Sequence, residues 1–306
     1  MGGPSATASL VTAQILKWYA ELRPGSLPAR PLVIGISGPQ GAGKTTLVRN
    51  ISAGLSSAPH SLNVVAFSLD DLYLPFEKQT QVAASNPGNK LVELRGNPGT
   101  HDVALGRRTL ETLRQNGTTP IPSYNKAAND GKGDQNPPST WTTVQPPFHI
   151  ILFEGWSMGF KSLAETELEA AYKALSKDPD SETRKHSFEH IKLLNEGARV
   201  WEREWYPMFD TFVHICCKDI HWVYDWRIEA ENTMRKELNK PDAGMSDSEL
   251  IDFVSRFMPF YELGLPRLTK VGFFGSASGD IPEEYKSRHL RASIDKQRNL
   301  LFSDII

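Results

Sequence analysis

The feature that most constrains this chain is the stretch Gly38-Pro39-Gln40-Gly41-Ala42-Gly43-Lys44-Thr45. It fits the pattern G-x-x-x-x-G-K-[ST], whose glycines let backbone N–H groups turn inward around phosphate oxygens. The apolar segment Pro31–Ser37 before it reads as a buried strand, and Lys44–Leu55 after it reads as a helix. This strand–loop–helix context is the one that a phosphate-binding loop (P-loop) requires.

Each fixed residue of the loop has a chemical reason. The helix that follows adds its N-terminal dipole to the backbone N–H groups. Lys44 is placed to reach the β and γ phosphates, and the Thr45 hydroxyl can ligate Mg²⁺. We therefore predict that ATP is held by residues 38–46: Gly38, Pro39, Gln40, Gly41, Ala42, Gly43, Lys44, Thr45 and Thr46.

Two short stretches imitate the guanine-reading elements of GTPases. Asp130–Gly133 spells D-x-x-G and Asn239–Asp242 spells N-K-x-D. Neither follows an apolar strand, where such an element would have to lie. The sequence therefore favours an ATP-binding protein over a GTPase.

Charge and cysteine content narrow the class further. The 306 residues carry a formal net charge of −2 and two cysteines, which are adjacent at Cys216 and Cys217. This balance argues against a dedicated nucleic-acid binder, and the cysteines exclude a disulfide scaffold and a Cys-based zinc site. No apolar run is long enough to cross a bilayer and no secretory signal is visible, so we expect a cytoplasmic protein, with the nucleus as a second location, and no membrane partner.

Apolar segments alternate with helical patterns along the chain. We predict strands at 31–37, 62–69, 149–153 and 211–216, and helices at 10–22, 44–55, 103–115, 163–177, 181–205, 224–236 and 247–257. This alternation is typical of an α/β protein, here a P-loop NTPase fold with a parallel β-sheet flanked by helices on both faces. We expect one domain, 1–306, with an N-terminal helix and linker at 1–30 and inserted substrate or lid loops at 75–147.

Carboxylates follow two of the predicted strands. Asp70 and Asp71 come after the second strand, and Glu154 ends the third. In an open parallel sheet, ligands lie beyond the carboxyl ends of the strands, so these acids should face the γ-phosphate. Either aspartate can accept a proton from a substrate hydroxyl, although aspartates here could equally cap a turn or helix. Glu154, with Thr45 and Asp70, is a candidate for holding Mg²⁺.

Seven motifs are spread along the chain. They are GPQGAGKTT (38–46), SLDDLYL (68–74), ELRGNPGTHD (93–102), PSYNKAANDGKGD (122–134), FEGWSMGF (153–160), WRIEAENTMR (226–235) and GMSDSELIDFVSRFMPF (244–260). Together they resemble the uridine kinase, phosphoribulokinase and pantothenate kinase superfamily. The chain is more closely similar to the plant and fungal D-glycerate 3-kinase group, including yeast relatives of uncertain substrate, over about residues 30–300.

The resemblance implies roles for particular residues. Asp70 matches the catalytic base of the superfamily, and Asp71, which stands where those enzymes have Ser, is kept as its rival. Glu154 matches the acid that helps to hold Mg²⁺, and Tyr124 matches a substrate-contacting tyrosine. His101-Asp102 loosely matches an H-P-D segment, and lid arginines would map near Arg227 and Arg235.

A small hydroxy acid needs a cation for its carboxylate and polar partners for its hydroxyls. The candidate cations are Arg95, His101, Lys126, Arg227 and Arg235, and the candidate hydroxyl partners are Asn97, Asp102 and Tyr124. Structural alternatives stay open. His101 could cap the helix that begins near Asp102, Tyr124 could pack over a loop, and both helical arginines could lie on a solvated face.

These observations predict a Mg²⁺- and ATP-dependent kinase of a small hydroxylated metabolite, with D-glycerate as the expected acceptor. One alternative is a kinase of another acceptor, such as a nucleoside, pantothenate or a sugar. Another is an ATP-binding sensor or assembly protein with little turnover, against which Asp70 and Glu154 argue, because a pure binder has no need of a base. The sequence leaves the oligomeric state open.

Overall fold

The computed structural model of the chain describes residues 5–23, 30–240 and 243–306. Two prolines of the expected linker, Pro24 and Pro28, lie outside the described residues, as do Pro241 and Asp242 of the N-K-x-D stretch. Among the described helices, none combines the length and the apolar character that a bilayer crossing needs.

Strands form one large sheet and two small ribbons. In chain order the strands are β1 (Leu32–Ser37), β2 (Val64–Ser68), β3 (Thr119–Ile121), β4 (Tyr124–Asn125), β5 (Asp134–Gln135), β6 (Thr142–Val144), β7 (Ile150–Gly155), β8 (Thr211–Cys217), β9 (His289–Ile294) and β10 (Leu300–Ile305). The large sheet has the order β10-β9-β8-β1-β7-β2, and β3–β6 and β4–β5 pair as ribbons.

Helices connect the strands. In chain order they are α1 (Ala6–Leu22), α2 (Lys44–Ser56), α3 (Phe76–Ser85), α4 (Lys90–Glu93), α5 (Val103–Arg114), α6 (Glu165–Leu175), α7 (Phe188–Glu204), α8 (Trp222–Glu237), α9 (Asp247–Ser255) and α10 (Met258–Val271). A short 3₁₀ turn, Leu69–Leu72, follows β2 directly.

The α/β class and the sheet flanked by helices are confirmed, with one difference at the edge. Strands β9, β8, β1, β7 and β2 are parallel, as predicted, whereas β10 pairs antiparallel with β9 and makes the sheet mixed. Parallel neighbours need long crossovers, which the helices provide, but a short turn suffices for β9–β10. The register places Ser68 of β2 beside Glu154 of β7, and Ser37 of β1 beside Gly155.

Continuous apolar runs explain the centre of the sheet. Every residue of β1 and β7 is buried, because both faces of these strands are covered. Phe67 of β2 stacks on Phe153 of β7 with ring centroids 4.4 Å apart, and Trp205 meets the edge of Phe153 at 5.6 Å. This rigid centre fixes where the carboxyl ends of β1, β7 and β2 present their loops.

The segment between β2 and β7 is more ordered than its loop-rich composition suggests. It contains α3, which was not predicted, as well as α5, which was, and both ribbons. Helix α5 packs closely because Gly106 has no side chain, and a Cβ there would lie 2.7 Å from Leu72 and 2.9 Å from Trp205. The assignment of residues 75–147 as inserted substrate or lid loops within one domain, 1–306, stays a prediction.

Candidate active site

The P-loop turns sharply at two glycines. Gly41 and Gly43 have φ values of 78° and 84°, a left-handed backbone that glycine adopts without strain. A Cβ on Gly41 would lie 2.5 Å from the Cβ of Trp226, so a side chain would also collide with α8. Helix α2 begins directly afterwards at Lys44 and points its N-terminus at the loop.

Two residues from the C-terminal third support this loop. The Tyr261 hydroxyl of α10 accepts a hydrogen bond from the Gln40 backbone N–H at 3.0 Å. The Arg298 guanidinium, from the turn between β9 and β10, donates to the Gly41 carbonyl at 2.8 Å. Both contacts join residues more than 200 apart in sequence, so local motifs gave no signal for them.

A cavity of about 210 Å³ opens at the carboxyl ends of β1, β7 and β2. It is lined by Gln40, Gly41, Lys44, Thr45, Ser68, Asp70, Tyr73, Arg95, Lys126, Glu154, Trp156, Arg227, Phe253 and Phe257. The structure therefore brings together the P-loop, two of the predicted acids and three of the predicted cations. Phe253 of α9 and Phe257, which follows α9, form an aromatic wall of the cavity. Neither was predicted as a site residue.

Asp70 is held by two neighbours. The Tyr73 hydroxyl donates to Asp70 Oδ1 at 2.7 Å, and the Lys126 ammonium forms an ion pair with Oδ2. Burial alone would raise the pKa of Asp70, but Lys126, Tyr73 and Lys44 outweigh it and hold the pKa at about 2. Asp70 is therefore ionised at neutral pH. Tyr73 lies in the SLDDLYL motif, but the motif alone does not indicate that its hydroxyl contacts Asp70.

Asp71 meets different surroundings, although it is the next residue. Its carboxylate accepts a hydrogen bond from the Ser68 backbone N–H at 3.1 Å and so caps the 3₁₀ turn. Burial, aided by the charge of Asp70, raises the pKa of Asp71 to about 6. Asp71 is not among the cavity-lining residues, and its capping contact is the structural alternative that the sequence left open.

Glu154 and Lys44 form the floor of the cavity. The Glu154 side chain is buried, and this burial raises its pKa although Lys44 opposes the shift. Burial lowers the pKa of Lys44, with Glu154 and Asp70 opposing. The Lys44 ammonium donates to the Pro39 carbonyl at 2.9 Å.

The donor set at this floor fits Mg²⁺. Mg²⁺ prefers oxygen ligands and in kinases binds one or two carboxylates together with waters and substrate phosphates. Glu154 offers a buried carboxylate, and Thr45 offers a hydroxyl at the start of α2. No cluster of three or more His, Cys, Asp or Glu side chains suited to a metal occurs in the described part of the chain, so phosphate oxygens would have to complete the site.

The three cavity cations differ in their partners. Arg95 donates to the carbonyls of Gly131 at 2.7 Å and Lys132 at 2.6 Å, so it anchors the loop that carries Lys126. Arg227, from α8, has no hydrogen-bond or ion-pair partner among the described residues although it lines the cavity. A negatively charged ligand would therefore meet Arg227 as an available cation.

Five other residues that were predicted to contact substrate lie outside the cavity lining. Asn97 is buried and donates to the carbonyls of Leu91 and Arg256, each at 2.9 Å. Asp102 caps α5 by accepting from the Leu105 N–H at 2.9 Å. His101 packs against Tyr73 with ring centroids 4.7 Å apart, and burial lowers its pKa to about 3, so the ring is neutral.

The remaining two of these residues are Arg235, which ties two segments together, and Tyr124, which lies close to the cavity. Arg235 donates to the carbonyls of Ala243 and Met245 and ties the end of α8 to the segment before α9. Tyr124 lies behind the cavity wall, with its ring centroid 5.3 Å from that of Tyr73. Its hydroxyl is buried and has no partner among the described residues.

This fold and cavity define a class: an α/β P-loop protein whose phosphate-binding loop, carboxylates and cations share one edge of a parallel sheet. The sequence profile of the Phosphoribulokinase / Uridine kinase family matches residues 33–166. The chain belongs to this family of kinases, as its relatives also show.

Three relatives make the similarity specific. The chain is 38% identical to a chloroplastic D-glycerate 3-kinase of Arabidopsis thaliana over 90% of its own length and 55% of that protein. It is 33% identical to an uncharacterized kinase of Schizosaccharomyces pombe, over 86% of this chain and 91% of that one. The solved structure of a D-glycerate 3-kinase from Cryptococcus neoformans covers 100% of both chains at 27% identity, with a TM-score of 0.85. The chain thus spans about half the length of the Arabidopsis relative.

Proposed function

We propose that this protein is an ATP-dependent small-molecule kinase that transfers the γ-phosphoryl group to a hydroxyl of D-glycerate. The observation that carries the proposal is the shared cavity, in which Asp70 lies with Lys44 and Thr45 of the P-loop and with two further cations, Lys126 and Arg227. Such a cavity offers a site for phosphates, a proton acceptor and positive charge for an anionic acceptor.

The chemistry is an in-line displacement. A bond forms between the acceptor hydroxyl oxygen and the γ-phosphorus, and the bond from that phosphorus to the β–γ bridging oxygen breaks, so ADP leaves. Asp70, ionised at neutral pH, accepts the hydroxyl proton. Lys44 and Arg227 stabilise the charge spread over the transferring group.

Mg²⁺ would be held by Thr45 and Glu154, and Asp70 is the third candidate ligand. When bound, the ion neutralises phosphate charge. The protein's own part is to fix these oxygens at the carboxyl ends of adjacent strands, where the register brings β2 and β7 side by side. Tyr73 orients Asp70 by donating to Oδ1, so the other carboxylate oxygen, Oδ2, faces Lys126 in the free protein.

Two observations support D-glycerate as the acceptor. A small hydroxy acid carries one carboxylate, and Lys126 and Arg227 provide cations on the cavity wall. The Arabidopsis and Cryptococcus relatives are named as D-glycerate 3-kinases. Arg95 is less suited to bind the acceptor directly, because its guanidinium already holds the loop carbonyls.

The test is ATP consumption by the purified protein with Mg²⁺ and D-glycerate, with the product identified by mass. We expect a phosphorylated glycerate and a loss of turnover of a hundredfold or more in Lys44→Ala, because Lys44 contacts the transferred phosphate. Glycerol, which lacks the carboxylate, uridine and pantothenate complete the acceptor panel. Turnover on one of these and none on D-glycerate would refute the acceptor, and ATP binding without turnover on any of them would refute the kinase.

A further inference from the structure

The ion pair between Lys126 and Asp70 stands in the way of the proposed reaction. The Lys126 ammonium lies on Asp70 Oδ2, and Tyr73 already occupies Oδ1. A hydroxyl that approaches Asp70 to give up its proton must compete with the ammonium for Oδ2. In the free protein, Lys126 and Tyr73 therefore block both carboxylate oxygens of the proposed base.

Lys126 lies on a segment that can release this contact. The side chain of Lys126 is 57% exposed, whereas that of Asp70 is 29% exposed. The turn between β4 and β5 carries a run of left-handed residues, Asn129, Asp130, Gly131 and Gly133, and its backbone is anchored by Arg95. A flexible lysine stem on an anchored turn can move its ammonium by side-chain rotation alone.

We propose that Lys126 is a latch that an anionic acceptor opens. In the free protein Lys126 pairs with Asp70, and when a hydroxy acid enters, the ammonium transfers its ion pair to the acceptor's carboxylate. Asp70 Oδ2 is then open to the acceptor hydroxyl. This inference rests on the proposed kinase function and adds a second role to Lys126, that of making the base available only when the correct class of acceptor is present.

The latch has two consequences that simple carboxylate binding lacks. First, water that enters the cavity with ATP finds Asp70 closed, so ATP hydrolysis without acceptor is suppressed. Second, a neutral polyol such as glycerol cannot draw Lys126 away, so it is a poor acceptor even at saturation. The preference for a hydroxy acid over a neutral polyol then appears in kcat and not only in KM.

The test compares Lys126→Met with Lys132→Met. Methionine is similar in length but uncharged, and Lys132 is an exposed residue of the same turn. We expect Lys126→Met to raise acceptor-free ATP hydrolysis by about tenfold, since a free general base contributes a hundredfold or more. We also expect the D-glycerate KM to rise about tenfold or more, because a charge-assisted contact is lost. The ratio of kcat with D-glycerate to kcat with glycerol should fall, and Lys132→Met should change none of these values.

The outcomes separate the latch from its alternatives. A higher KM with unchanged acceptor-free hydrolysis and an unchanged kcat ratio would make Lys126 a plain carboxylate ligand and overturn the latch. No change in any value would overturn it as well. Lys126→Arg keeps the charge and should retain low acceptor-free hydrolysis, and equal melting temperatures of all variants would exclude a folding defect. Failure of the kinase proposal would appear separately, as the absence of acceptor phosphorylation in the unsubstituted protein.

Discussion

At the scale of single residues, the adjacent aspartates Asp70 and Asp71 have different surroundings, which give their carboxyl groups different pKa values. Asp70 faces the cavity, where Lys126 and Tyr73 hold its pKa at about 2. Asp71 faces the backbone N–H of Ser68, and burial raises its pKa to about 6. Asp70 is therefore ionised and lines the cavity, which are two conditions that the proposed proton acceptor must meet. The sequence predicted the pair, and only the resemblance favoured Asp70 over Asp71, because their separation depends on which way each side chain leaves the turn.

Substitution of each aspartate by asparagine tests this separation. We expect Asp70→Asn to lower kcat by about a hundredfold or more, which is the usual contribution of a general base, while ATP still binds. Asp71→Asn should retain most of its activity, because an amide oxygen can still accept from Ser68. The measurements are kcat with D-glycerate and ATP affinity by calorimetry. Activity that survives in Asp70→Asn and falls in Asp71→Asn would reverse the assignment.

At the scale of whole elements, the sequence predicts an element correctly where its apolar pattern is continuous. Strands β1, β7 and β8 are nearly uninterrupted apolar runs and were found. Helix α10 was missed because Gly264 and Pro266 interrupt it, and such residues usually end a helix. Gly264 is needed there for packing, since a Cβ would lie 2.6 Å from the Phe160 ring. Strand β9 was missed because Arg291, paired with Asp304 of β10, breaks its apolar run.

The hairpin of β9 and β10 yields a prediction at this scale. Its turn sends Arg298 to the Gly41 carbonyl and to Glu229 of α8, at 2.8 Å each, so it braces the P-loop from the far end of the chain. We expect Arg298→Ala to raise the KM for ATP by about three- to tenfold, since the lost contacts are charge-assisted but partly solvated. The KM for the acceptor should stay unchanged. Arg184→Ala, at an exposed residue of another segment, is the matched control, and an equal effect in both variants would contradict the bracing role.

At the scale of the whole molecule, three histidines of the described residues are buried, one beside Tyr73 and two next to each other in the large sheet. His101 lies against Tyr73 and Trp201, whereas His214 and His289 lie on the neighbouring strands β8 and β9 with ring centroids 6.1 Å apart. Burial lowers the pKa of His101 and of His214 to about 3, and it lowers the pKa of His289 well below its ordinary value of 6.5. All three rings are therefore neutral in the folded protein over a wide pH range, whereas each would take up a proton in the unfolded chain.

This difference makes the folded protein sensitive to acid. Below pH 6.5 these histidines bind more protons in the unfolded chain than in the folded one, so their contribution to the free energy of unfolding falls as pH falls toward about 3. His101 and His214, whose pKa values are lowered to about 3, each account for about 2 kcal/mol between pH 7 and pH 5. Asp71 acts in the opposite direction, since its raised pKa of about 6 makes the folded state bind the proton first as pH falls. The wild-type curve also contains the effects of carboxylates with a lowered pKa, such as Asp70 and Asp210, so a variant is needed to isolate one histidine.

His214→Leu isolates one of them, because leucine fills a similar apolar space and does not titrate. We expect this variant to lose about 2 kcal/mol less than the wild type between pH 7 and pH 5, whatever its absolute stability at pH 7. The measurement is urea unfolding of both proteins at each pH. Between pH 8 and pH 9, where the histidine is neutral in both states, the two proteins should show the same change. An equal loss in both proteins between pH 7 and pH 5 would mean that His214 accepts its proton within the folded core, and that the burial between β8 and β9 does not keep the ring neutral.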